Sequence, residues 1–134
     1  MPDIFALDTN VLVYLHDSSN VHKREIAKQL LSNSPKISSH VVSEYVNTCR
    51  RLLTLDKTSL LLQTAALLSN CQIIAVQPAT LAYAAQLTEK YKLQIFDAII
   101  VANCIEGNCN VLYSEGMHHQ LLVDKRIKII NPFI

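Results

Sequence analysis

The apolar positions fall into short continuous runs separated by longer stretches of helical periodicity. Ile4 to Leu7 is a run of the first kind, ending in Asp8-Thr9-Asn10, and predicts a buried strand followed by a turn. Val11 to Leu15 starts a helix. Val21 to Ser32 carries Ile26, Ala27, Leu30 and Leu31 on one face and Lys23, Arg24, Glu25 and Lys28 between them, an amphipathic helix stopped by Asn33-Ser34-Pro35. A short strand follows at Lys36 to Ser39. Helical spacing returns from His40 to Leu53 and from about Lys57 to Leu68, a candidate helical hairpin.

Cys71 to Val76 predicts a third strand, and Pro78 opens a helix reaching about Lys90. Phe96 to Ile105 is apolar nearly all round, the pattern of a central, buried helix. Val111 to Tyr113 and Ile127 to Ile130 complete five expected strands. Strands alternating with helices predict an α/β fold, a layered sandwich around a parallel sheet, and 134 residues suit one domain over 1–134.

Composition narrows the picture. Half of the residues are hydrophobic and 17% are charged, as in a folded chain with a substantial core. A formal charge of +1 supplies no global field for nucleic acid, so RNA binding would rest on local patches and bound cations. The N-terminus has no basic start before its apolar run, and no apolar segment approaches the roughly 18 residues of a membrane span, so no membrane association and a cytoplasmic location are expected. Cys49, Cys71, Cys104 and Cys109 lack paired C-x-x-C spacing and read as reduced core thiols. A zinc site from Cys104, Cys109 and His118 or His119 is the less economical reading, given the loose spacing. Two glycines leave no Gly-rich phosphate loop.

Four acidic residues are candidates for chemistry. Asp8 follows a buried strand, where ligands of parallel α/β sheets gather, although an Asp there also caps a helix or turn. Asp97 opens the apolar helix and carries the same two readings, cap or functional acid. Glu44 falls about 60° beyond the apolar arc of its helix, the place of a solvated side chain. Glu115 lies just past the strand at Val111 to Tyr113, in a loop. Carboxylates gathered within a few ångströms repel one another unless a divalent cation compensates, and oxygen-only ligation suits magnesium or manganese.

The order of these segments resembles the PIN domain, and in particular the VapC-type toxin ribonucleases. Asp8-Thr9-Asn10-Val11-Leu12 is similar to the first acidic motif of that family and Val42-Ser43-Glu44-Tyr45 to the second. Phe96-Asp97-Ala98-Ile99-Ile100-Val101-Ala102 resembles the third, Leu112-Tyr113-Ser114-Glu115-Gly116-Met117 the fourth, and Ile130-Asn131-Pro132-Phe133 the closing segment. The resemblance implies a three-layer α/β/α sandwich with a central five-stranded parallel sheet and a Mg2+ or Mn2+ site made by Asp8, Glu44 and Asp97, with Glu115 as a further ligand and Asn10 and Ser114 as supporting or substrate-positioning groups. It implies metal-dependent hydrolysis of RNA phosphodiesters to 5′-phosphate and 3′-hydroxyl ends, a small antitoxin as partner, and a homodimer. Where the family commonly carries another Asp after Ser-Glu, this chain has Gly116, so the fourth carboxylate is missing or replaced by Glu115.

Two other functions are weighed beside the ribonuclease. Gly116 favours a catalytically weakened PIN-fold module that binds RNA or protein. A phosphatase of the haloacid-dehalogenase type would use an Asp after the first strand as nucleophile, but such enzymes carry a second Asp two residues on, and here that place is Asn10. Arg50, Arg51, Lys90 and Lys92 are the candidate phosphate contacts at the rim.

Overall fold

The computed structural model describes residues 3–134; residues 1 and 2, included in the single-domain expectation, lie outside the described residues. The strands are β1 (Phe5–Leu7), β2 (Lys36–Ser38), β3 (Gln72–Ile74), β4 (Val111–Tyr113), β5 (Leu122–Val123) and β6 (Ile127–Ile130). The helices are α1 (Thr9–Val13), α2 (Val21–Ser32), α3 (Ser39–Leu52), α4 (Lys57–Leu67), α5 (Pro78–Tyr91) and α6 (Ile95–Glu106), with a 3-10 turn at Tyr14–His16. Every helix expected from periodicity is present, within a few residues at each end.

The sheet order is β3-β2-β1-β4-β6-β5. The chain moves outward from β1 through β2 to β3, then returns to lay β4 on the other side of β1. β1 and β4 run parallel in register, with Ala6 opposite Leu112 and Leu7 opposite Tyr113. The strand order therefore reverses between β1 and β4, and in parallel α/β sheets such a reversal opens a crevice beyond the carboxyl ends of the strands. Asp8 leaves β1 at that point and Ser114 leaves β4 beside it.

The five expected strands run parallel to one another, and helices pack around them in an α/β/α arrangement. A sixth strand, β5, was not anticipated; it pairs antiparallel with β6, with Val123 opposite Ile127. The link is a two-residue turn in which Asp124 and Lys125 both have positive φ, 52° and 56°, closed by Arg126 N–H donating to the Val123 carbonyl at 2.9 Å. Tight hairpins of this kind favour Asn-Gly or Asp-Gly, and Asp-Lys carries half of that signal. Asp124 is held by long-range bonds instead: Tyr83 Oη donates at 2.6 Å, Tyr91 Oη at 3.0 Å and Lys90 Nζ at 3.0 Å.

The core is continuous from β1 to β6. α6 supplies much of it, burying Ala98, Ile100, Val101, Ala102, Cys104 and Ile105, as its apolar run predicts. α5 packs along α6, and α1 against α3. All four cysteines are free thiols. No helix of the described residues is long and apolar enough to cross a membrane.

Lys125 is exposed and its left-handed backbone is unfavourable for a residue with a Cβ. Lys125→Gly is expected to raise unfolding stability by about 0.5–1 kcal/mol, measured by urea denaturation, whereas Asp124→Ala lowers it by stranding two tyrosine hydroxyls. A destabilised Lys125→Gly would show that the turn is not under this constraint.

Candidate functional site

A cleft of about 800 Å3 opens beyond the β1 and β4 ends, and Asp8, Glu44, Asp97 and Glu115 all line it, together with Thr9, Asn10, Tyr14 and His16. These four acids come from four separate stretches of chain, and a fifth, Asp17, lines the cleft as well, its carboxylate accepting from the Ser19 amide at 3.0 Å. Convergence is the first thing the sequence left open and the fold supplies.

Asp8 is 6% exposed. Its Oδ1 accepts from the Thr9 amide at 2.7 Å, making it the N-cap of α1, and its Oδ2 accepts from Ser114 Oγ at 2.7 Å. The cap reading of Asp8 thus holds, and the same side chain lines the cleft. Both carboxylate oxygens are fixed in direction, yet burial outweighs these bonds and raises the pKa above the ordinary value; Glu44 adds to the rise and His40 opposes it.

Asp97 is not the cap of α6. Gln94 is, its Oε1 accepting from Phe96 N at 3.0 Å and Asp97 N at 3.2 Å. The Asp97 carboxylate is left free to face the other acids. Burial, then Asp8 and then Glu44, push its pKa up from 3.8 to about 6, and no hydrogen bond offsets them. The rise occurs at a helix N-terminus, whose dipole favours a carboxylate by roughly 0.3–1 kcal/mol, so repulsion and desolvation dominate.

Glu44 stands one turn after His40 on α3. Thr9 Oγ1 donates to Glu44 Oε1 at 2.7 Å, and His40 Nε2 lies 3.4 Å from Oε2. Its side chain is 36% exposed, between core and solvent, which is what the edge of an apolar arc gives when a neighbouring helix leaves a cleft there. Thr9 therefore touches both acids, its amide on Asp8 and its hydroxyl on Glu44.

Glu115 lines the cleft but its carboxylate is engaged. Lys23 Nζ pairs with Oε2, and Tyr14 Oη donates to Oε1 at 2.6 Å. These two partners hold the Glu115 pKa below the usual range. Lys23 is 92 positions away in the chain, and nothing in its helix marks it for this role. Asn10 secures the same loop by accepting from Glu115 N at 3.2 Å. Gly116 has no positive φ, and a Cβ there would meet only Asn10 Nδ2, at 3.2 Å.

None of Arg50, Arg51, Lys90 or Lys92 lines the cleft. Lys90 is spent on Asp124 and Arg50 donates to Asn47 Oδ1 at 2.7 Å, which corrects the rim assignment. Among the described residues no three His, Cys, Asp or Glu side chains already stand as a group that could hold a metal ion, and this applies to the cleft acids as well as to Cys104, Cys109 and the histidines. An open, oxygen-only set with one uncompensated carboxylate suits magnesium or manganese, which keep several of their waters and bind through one or two carboxylates.

A family model described as PIN domain matches residues 5–121. The chain belongs to the PIN domain family. Solved structures agree with that placement. A toxin–antitoxin complex from Klebsiella pneumoniae is 26% identical, with a TM-score of 0.69 over 95% of this chain and 97% of that one. FitAcB from Neisseria gonorrhoeae is 16% identical, with a TM-score of 0.69 over 96% and 98%. VapC20 from Mycobacterium tuberculosis, a toxin cleaving the sarcin-ricin loop, is 17% identical, with a TM-score of 0.65 over 82% and 88%. No curated protein sequence matches this chain. In this PIN domain Asp8, Glu44 and Asp97 share one cleft, and Gly116 is exposed beside a Glu115 that is already paired.

The raised Asp97 pKa has a consequence for stability. Below about pH 3.8 the group is neutral in both states; between 3.8 and about 6 the unfolded chain ionises first; above about 6 the full penalty is present. In chelator, Asp97→Asn is expected to raise the melting temperature more at pH 7.5 than at pH 4.5. Added magnesium at pH 7.5 should stabilise the parent more than the variant. Equal gains at both pH values would mean that Asp97 feels no such repulsion.

Proposed function

We propose that the protein is a divalent-metal-dependent endoribonuclease, the toxin of a toxin–antitoxin pair. The observation carrying this reading is the shared cleft of Asp8, Glu44 and Asp97 at the sheet's point of strand reversal. Membership of the PIN family and the likeness to the Klebsiella pneumoniae toxin–antitoxin complex support it.

Asp8, Glu44 and Asp97 are the proposed holders of Mg2+ or Mn2+. The ion would supply charge neutralisation at the scissile phosphate and an activated water for attack on phosphorus. Ser114 and the Thr9 amide prevent the Asp8 carboxylate from rotating. The Thr9 hydroxyl holds Glu44 at a fixed distance from Asp8. Burial, then Asp8 and Glu44, make Asp97 protonate more readily than an ordinary Asp, and a bound cation would favour its ionised form. Asn10 and Ser114 brace the β4 loop through the Glu115 amide and the Met117 amide, fixing the floor on which substrate would lie.

A catalytically weakened PIN-fold module is the second reading, and Glu115 favours it: the acid nearest to the missing fourth position is neutralised by Lys23 and Tyr14. Under either reading a small antitoxin is the proposed protein partner, and a homodimer the proposed assembly.

The test is cleavage of a labelled, structured RNA pool by partner-free protein in magnesium or manganese. Asp8→Asn should abolish the products and chelator should do the same, while Ser114→Ala should cost roughly 10–100-fold, as for groups that orient a ligand. Native protein without activity, together with activity in Gly116→Asp, would replace the nuclease reading with the weakened one.

A further inference from the structure

Phe96 is a large apolar side chain, 47% exposed, immediately before Asp97 in the first turn of α6. The ring is not among the groups that line the cleft and connects to it through one neighbour. It is also ordered by a neighbour: the His40 imidazole stacks on it with centroids 5.0 Å apart and planes within 8°. One face is therefore covered, leaving the opposite face and edge to the outside. His40 in turn lies 3.4 Å from the Glu44 carboxylate. The flat surface and the acidic cleft are thus joined through a single side chain.

The chemistry that fits is a planar, unstacked ring system, attached to an anion that the acidic cleft accepts only with the divalent cation of the ribonuclease reading. Single-stranded RNA supplies both, because its splayed bases stack on aromatic side chains while its phosphates lie a short sugar away. We propose that the outer face of Phe96, backed by His40, is a stacking platform for a nucleobase flanking the scissile phosphate. The assignment rests on the ribonuclease reading and adds to it a substrate-positioning residue and a requirement for an unpaired base. Stacking accepts any base, so the platform would select single-stranded over duplex RNA and leave sequence choice to other contacts.

The chain has no tryptophan, so Phe96→Trp places one reporter at the site. The probes are a short oligouridylate, the same strand with abasic sugars, and a duplex of equal length, added to Phe96→Trp in the cleavage-blocked Asp8→Asn background. Quenching by oligouridylate and much less by the abasic strand or the duplex is expected. Phe96→Ala and Phe96→Leu should each weaken oligouridylate binding roughly 5- to 100-fold, by the same factor at low and high salt and with unchanged melting temperature, while Phe96→Tyr stays near native. Cleavage of the RNA pool by the protein with Phe96 in place is scored separately. If the protein cleaves but Phe96→Ala changes neither KM nor binding, the platform falls and the nuclease stands. If it does not cleave yet the quenching and the binding loss appear, the ring binds an unpaired base, but the nuclease reading falls and with it the placement beside a scissile phosphate. If Phe96→Ala loses only its affinity for a co-purifying small protein, the ring belongs to a protein interface and the proposal is overturned.

Discussion

The arrangement depends on one buried carboxylate. Asp8 sits almost wholly out of water at the end of β1, and an ion in that position is tolerated only because an amide and a hydroxyl are aimed at its two oxygens. The hydroxyl comes from Ser114 at the end of β4, so the parallel pairing of β1 with β4 is a condition for holding the charge. Hydrogen bonding nevertheless falls short of the desolvation cost, and the Asp8 pKa stays raised. The same shortage extends to Asp97, which receives no donor at all. The cleft is left with uncompensated negative charge, which the proposed divalent cation would offset.

Two devices keep the acids apart while they wait. Thr9 ties Glu44 to the Asp8 backbone, so the distance between the two is set by a short, rigid link. Lys23 and Tyr14 withdraw Glu115 from the group and neutralise it. Lys23 also lies over the Tyr14 and Phe133 rings, at 4.8 and 5.4 Å from their centroids, so its position is fixed by aromatic faces as well as by charge. With Gly116 in the adjacent place, this PIN domain brings Asp8, Glu44 and Asp97 to the cleft beside a Glu115 that is internally balanced and an Asp17 engaged by Ser19.

Much of this was legible in the chain. The alternation of runs and periodic stretches gave the helices and the parallel strands, because each buries a face whose pattern is local. Asp8 and Asp97 stood out because an acid beside an apolar run is expensive. The pairing of Asp8 with Ser114 and the capping of α6 by Gln94 were not readable. The first joins positions 106 apart, and the second uses a residue with weak capping preference, so Asp97 looked like a cap until the geometry freed it. Glu44 was ambiguous on the helical wheel because a wheel records one helix and cannot show a cleft between two. β5 was missed because two residues carry no periodicity and its turn lacks the expected glycine. Among the rim cations, Lys90 finds in Asp124 a partner that only tertiary packing brings near, while Arg50 is held by Asn47 one turn earlier on its own helix.

The central claim is that Asp8, Glu44 and Asp97 form one divalent-cation site. Crystals grown with manganese and measured near its absorption edge test it most directly, since anomalous scattering locates the ion without reference to activity. The account predicts a manganese peak within coordinating distance of the Asp8 and Asp97 carboxylates, with Glu44 as a third ligand directly or through water. Well-ordered crystals at neutral pH and saturating manganese with no peak in the cleft would contradict it.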